Sequence, residues 1–325
     1  MIKVSCVRKV EGRVPGPLDL GKFRGALVGC AVGDAIGELA VVHNSRHALE
    51  DFLAEGDTLR YTDDTAMTIG LAEAITMSGG KVIEKEIGES FRRNYGREPW
   101  REYSASTPAV FAAVQRKDLP YAEAAAKLHN GQGSFGNGAA IRIAPLGILF
   151  RNSPNLRDHA DTSARVTHTH PIGIDGAAIM AWAAGKAASL TPAPKFPYGE
   201  FCVGMVNFAR TREMRQKLAL VVELLASNAP PREAAFQLRL SQTVEESLPF
   251  SIYCFLKFPQ SYTDCLLCAV LNGGDPDSLG AMAGALSGAY LGYDAIPKKW
   301  RSRMENEDKL EDLAKRLAAL DGKVE

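Results

Sequence analysis

Apolar residues recur along most of this chain at intervals of three and four, and alternating runs bounded by hairpin dipeptides are missing. Such a period keeps one face of a helix apolar, so the pattern predicts an all-α protein. Asp19 is placed to cap a helix running to about Leu39. At the other end, Trp300, Met304, Leu310, Leu313, Leu317 and Leu320 are spaced mostly three and four apart among charges, which predicts one amphipathic lid helix. Breaks fall at Gly79-Gly80, His129 to Gly138, Ser153-Pro154, Thr191 to Gly199 and Pro230-Pro231. None is long or of low complexity. The expected organisation is a tail over residues 1–18 and one compact domain over 19–325.

Two segments depart from the amphipathic pattern. Gly25, Gly29, Gly33 and Gly37 recur every fourth residue in the first helix, and Gly280, Gly284, Gly288 and Gly292 do so in a late one. Glycine at that spacing strips one helix face of side chains, which costs up to about 1 kcal/mol per site against Ala and is tolerated where another backbone must approach. If the two ladders meet, residues near positions 34 and 277 become neighbours. A GxxxG membrane pair is the competing explanation, but Asp34 interrupts the first ladder. The second lies in a 16-residue uncharged stretch, Ser278 to Tyr293, shorter than the roughly 20 residues a span needs. No membrane span is expected.

Composition narrows the function. Lys+Arg and Asp+Glu are 38 each in 325 residues, so no whole-molecule field favours nucleic acid or an anionic membrane. An anionic ligand would have to be held by a local site. Residues 1–14 mix Lys3, Arg8, Lys9, Glu11 and Arg13 with isolated apolar residues, unlike a signal peptide. Six cysteines are too sparse for a disulfide scaffold and fit a reducing cytoplasm, with the Cys265–Cys268 pair expected to be buried.

Five segments carry possible chemistry. Thr62-Asp63-Asp64-Thr65 and Asp275-Pro276-Asp277-Ser278 each precede a helical run, where capping and the helix dipole favour such residues. Brought together, their carboxylates and hydroxyls would form the hard oxygen set that Mg²⁺ or Mn²⁺ takes, and the cation would relieve the mutual repulsion. Gly131-Gln-Gly-Ser-Phe-Gly-Asn-Gly138 places four glycines in eight residues before a helix, a form that can offer unpaired amides to phosphate. His168 and His170 lack a second pair for zinc and suit the polar wall of a pocket. Arg92, Arg93, Arg97 and Arg101, near Tyr95, Trp100 and Tyr103, suit either an acceptor-recognition rim or a solvated helix face.

The ordered set Gly29-Cys-Ala-Val-Gly33-Asp34-Ala-Ile-Gly37, Tyr61 to Thr65, Ser134 to Pro145, Thr167-His168 and Gly273 to Ser278 resembles the ADP-ribosylglycohydrolase family. The resemblance implies a compact orthogonal helical bundle that binds two Mg²⁺ ions, with Mn²⁺ as substitute, and removes ADP-ribose from a protein side chain or small conjugate. It implies Thr62, Asp63, Asp64, Asp275, Asp277 and Ser278 as metal ligands. Ser134, Gly136, Asn137 and Gly138 would hold the diphosphate, and His168 would line the pocket. Several members carry an acid where this chain has Val41. The catalytic carboxylate is therefore assigned to Asp277 or Asp63, with Glu38 next. The same departure raises the alternatives of a silent ADP-ribose-binding protein and of a hydrolase for another nucleotide conjugate. The acceptor and the oligomeric state are not specified.

Overall fold

The computed structural model describes residues 16–324, which form helices joined by loops, with two isolated β-bridges among the described residues. Most of the expected tail and Cys6 lie outside them. Helix α1 (Leu20–Val42) starts at the Asp19 cap, whose carboxylate accepts from the Gly21 amide, and ends three residues beyond the expected limit. By length and composition alone α1 is long and apolar enough to cross a membrane. Its most apolar 18-residue window is 78% buried, which makes α1 the core helix of this fold.

The helices that build the core with α1 are α2 (Asp63–Met77), α3 (Glu84–Arg97), α4 (Pro171–Ser189), α5 (Val244–Lys257), α6 (Tyr262–Val270), α7 (Pro276–Leu291) and α8 (Glu307–Leu320); α2, α6, α7 and α8 pack directly on α1, α3 packs on α2, and α4 and α5 pack on α7. A large apolar cluster runs through all of these. The central contact is α1 against α7, and the glycine ladders create it. A Cβ built on Gly29 would lie 2.5 Å from the Gly284 carbonyl oxygen, and Gly25, Gly33 and Gly37 meet the backbone of Gly288, Gly280 and Pro276 more closely still. The pairing runs in opposite directions, so the helices are antiparallel and touch backbone to backbone. The Tyr262 hydroxyl from α6 closes the seam on the Gly29 carbonyl at 2.7 Å. Gly292 has a different role from its three ladder-mates: at φ +88° it ends α7.

The expected C-terminal lid is two pieces. Trp300 belongs to a short helix, Lys298–Arg301, while α8 begins only at Glu307 after Asn306 in the left-handed region at φ +56°. Between them Met304 forms a parallel bridge with Leu59, which draws the chain out of the helical path. Leu310, Leu313 and Leu317 are buried, and α8 packs on α1 and α2, so it closes the core and is no lid. Cys265 and Cys268 are buried free thiols, as expected.

Candidate active site

The ladder fixes the site because the last contact of α1 with α7 falls where α7 begins. A Cβ on Gly37 would lie 2.6 Å from the Asp277 amide nitrogen. Asp34, one turn earlier, is fully buried, and its carboxylate organises the start of α2. Thr62 donates to it through its amide and hydroxyl, at 3.1 and 2.9 Å, and Thr65 does so at 3.0 and 2.6 Å. Thr62 caps α2 by accepting from the Asp64 amide at 3.3 Å. Asp63 and Asp64 thus occupy the first turn of α2, and Asp275 and Asp277 flank Pro276 at the start of α7. The Ser278 hydroxyl joins the two helix starts by donating to Asp64 at 3.0 Å.

The six expected ligands are therefore gathered in one cleft, and the electrostatics show what the gathering costs. Burial and then the charges of Asp34, Asp277 and Asp275 push Asp63 up to about 8. Burial, with Asp275 and Asp34, pushes Asp277 up to about 7, and Asp64 is held well above the usual carboxylate range by burial and by Asp63. Burial also raises Asp34, to about 6, against the four donors that favour its charged form. Arg142, 1% exposed, is the buried cation beside them, and burial lowers it to about 9 while Asp63 and Asp64 oppose that shift. Its guanidinium donates to Ser163 O at 3.1 Å and lies 4.7 Å from the Phe91 ring centre, so it balances the acids without an ion pair. Among the described residues no three acidic, histidine or cysteine side chains converge on one point as a closed coordination shell. The donors are hard oxygens, mutually repelled and backed by hydroxyls, which is the chemistry a divalent cation completes.

The glycine-rich segment reaches the same cleft differently from expectation. Asn137 donates through its side chain to Asp275 at 2.8 Å, and Gln242, absent from the sequence candidates, does so at 3.3 Å. The Asn137 amide donates to the Gln242 carbonyl at 2.9 Å, the Gly136 amide to the Ser134 hydroxyl at 3.2 Å, and the Gln132 and Gly133 amides to the His129 and Leu128 carbonyls at 3.3 and 3.1 Å, so four of the loop's amides already have protein partners. His168 lies beneath the loop, its Nε2 3.4 Å from where a Cβ on Gly136 would stand. Its Nδ1 bonds the Thr167 hydroxyl at 2.7 Å, and burial with the Arg142 charge lowers it to about 3, so the ring is neutral at physiological pH.

Glu38 stands on α1 just past Gly37. It is half-buried, raised by burial and by Glu102, and within electrostatic reach of Asp277. It borders a cavity of about 390 Å³ walled by Leu39, Phe52, Asp57, Leu59 and Arg303. Among the described residues it has no hydrogen-bond or ion-pair partner. Val41, where an acid was looked for, is 56% exposed in the last turn of α1. The arginine cluster does not form one rim: Arg93 and Arg97 are exposed, Arg92 pairs with Glu89 at 2.6 Å, and Arg101 is buried.

A helical bundle whose central glycine seam joins two acid-bearing helix starts defines a class of protein, and the chain belongs to the ADP-ribosylglycohydrolase family, whose sequence profile matches residues 16–325. Among its relatives, the zebrafish (Danio rerio) ADP-ribosylhydrolase ARH3 is 30% identical, the match covering 94% of this chain and 92% of the relative. The human (Homo sapiens) ADP-ribosylhydrolase ARH3 is 29% identical over 92% of this chain and 93% of its own. A solved structure described as an ADP-ribosylglycohydrolase-related protein complex has the same fold, with a TM-score of 0.70, 23% identity and coverage of 93% and 98% of the two chains.

Proposed function

We propose that this protein is a divalent-metal-dependent hydrolase of the glycosidic bond that links ADP-ribose to a protein side chain or related acceptor. The observation that carries the proposal is the joining of Thr62, Asp63 and Asp64 to Asp275, Asp277 and Ser278 across the α1–α7 seam, in a family whose relatives are named as ADP-ribosylhydrolases. These six residues would hold Mg²⁺ or Mn²⁺, which supplies Lewis-acid polarisation and a fixed point for ribose hydroxyls. The glycine-rich segment with Ser134 and Gly138 would hold the diphosphate, while Asn137 and Gln242 orient Asp275.

Bond cleavage at the anomeric carbon builds positive charge on the sugar ring, so a carboxylate near that carbon lowers the barrier by stabilising charge or by taking a proton from the attacking water. Asp63 and Asp277 were the first choices for that duty. Both stand inside the ligand set, whereas Glu38 is partnerless, next to Asp277 and bordered by a cavity able to hold water. Glu38 is therefore the carboxylate we assign as base, holding the abstracted proton on its side-chain oxygen. Burial and the Glu102 charge raise its pKa, which makes its carboxylate a stronger proton acceptor.

Incubation with an ADP-ribosylated peptide and Mg²⁺, followed by chromatography of released ADP-ribose, tests the proposal. Release that stops in EDTA and returns with Mg²⁺ or Mn²⁺ is expected. Release unaffected by EDTA would overturn the metal assignment, and saturable ADP-ribose binding without release would identify a silent binding protein instead.

A further inference from the structure

Tyr61 immediately precedes the Thr62 cap of α2, and two distant segments hold it. Its amide donates to the Glu305 carboxylate at 2.8 Å, and its carbonyl accepts from Arg101 at 2.6 Å. Arg101 also reaches the same Glu305 oxygen at 2.7 Å, and its other guanidinium nitrogens bond Glu98 at 2.7 and 2.9 Å. The guanidinium lies 3.9 Å from the Tyr61 ring centre, and Asn306 donates to the Tyr61 hydroxyl at 2.9 Å. Two residues earlier, Leu59 exchanges two backbone bonds with the 303–305 segment, at 2.9 and 3.0 Å.

Both polar groups of the Tyr61 backbone are thus tied to one ion pair, its arginine buried and its glutamate partly so, and none of these groups is among the six candidate metal ligands. A planar fork such as Arg101 fixes direction as well as distance, which a single ammonium would not. We infer that Arg101 and Glu305 are positioning residues: they set the backbone of Tyr61 and Thr62, and through it the orientation of Asp63 and Asp64 toward a divalent cation. The inference rests on the metal assignment above. It makes the segment between Lys298–Arg301 and α8 part of the site's support, and it explains why the chain leaves the helical path at Met304.

The test is Mn²⁺ binding by calorimetry to the full chain, with thermal melts in EDTA alongside. Glu305→Ala should weaken Mn²⁺ binding at least about tenfold, as loss of outer support for a ligand does, while Glu305→Gln, which keeps an acceptor, should stay within about threefold of the parent. Asp321→Ala breaks the buried Arg151 ion pair at the opposite end of α1 and serves as the stability control; its melting temperature should fall with Mn²⁺ affinity unchanged. Parent-like binding by Glu305→Ala, an equal loss in Glu305→Gln, or an equal loss in Asp321→Ala would each overturn the inference. Should Glu305→Ala not fold, Arg101→Lys carries the test, with about tenfold weakening expected and parent-like affinity overturning it. A parent that takes up no Mn²⁺ would overturn the metal assignment and this inference together, whereas a binding parent with parent-like variants overturns only the inference.

Discussion

Adding one methyl group should have opposite effects at two glycines of this chain. Gly29 sits in α1 with no room: the new Cβ would stand 2.5 Å from the Gly284 carbonyl oxygen and 3.3 Å from Tyr262. Ordinary contact needs at least about 3.4 Å, so the α1 and α7 axes must separate by roughly 1 Å, and overpacking of that kind costs about 1–3 kcal/mol beyond any gain in helix propensity. Gly96 sits in α3, exposed, with nothing within 4 Å, and there the same change should contribute a few tenths to about 1 kcal/mol of stability. At about 2.1 cal/mol/K per residue, unfolding entropy for 325 residues converts each 1 kcal/mol to about 1.5 °C of melting temperature. Gly29→Ala should therefore melt about 1.5–4.5 °C below the parent and Gly96→Ala up to about 1.5 °C above it, read by calorimetry on metal-free protein. A Gly29→Ala variant as stable as Gly96→Ala would refute the backbone-to-backbone seam.

Other expectations concern the cleft. Asp277→Asn should reduce turnover at least about 10²-fold, equivalent to roughly 2.7 kcal/mol of transition-state stabilisation, and shrink the stabilisation by Mg²⁺; near-parental turnover with a full Mg²⁺ shift would make Asp277 a helix-start residue only. Asp34→Asn leaves two of four buried donors without an acceptor and should cost about 2–4 kcal/mol in denaturant unfolding, with no loss counting against its organising role. The folded pKa values of Asp63, about 8, and Asp277, about 7, lie above their ordinary 3.8, so the metal-free native state binds more protons than the unfolded chain between those limits. Their contribution is complete below about pH 4 and is lost as pH rises through 7 to 8. The metal-free melting temperature should fall from pH 5 to 8.5 and fall less in Asp63→Asn; identical slopes in the two proteins would refute the assignment.

The seam and the paired helix starts were legible because their signals are local: glycine every fourth residue declares a bare face, and Thr62-Asp63-Asp64 and Asp275-Pro276-Asp277 declare helix starts. What stayed hidden depends on partners far along the chain. Asp34 shows its role only once Thr62 and Thr65 lie against it. Arg101 reads as one of four surface arginines until Glu305 arrives from 204 residues away. Gln242 carries no motif, yet its side chain reaches Asp275 and its carbonyl takes an amide of the glycine-rich loop. The C-terminal helix was misplaced because apolar spacing records which side is buried and is blind to the bridge that interrupts it.

The seam also sorts the chain by its tolerance of inherited change. Replacement of any ladder glycine except Gly292 adds atoms where two backbones already touch, so the spacing between the acid-bearing helix starts widens only at a cost in stability. The last turn of α1 beyond Glu38 and the turn at Trp100 have no such restriction, since Val41, Val42 and Trp100 face solvent. Lineages of this fold can therefore diversify what is brought to the cleft through its margins, while each change in the separation of its two halves draws on the stability of the whole core.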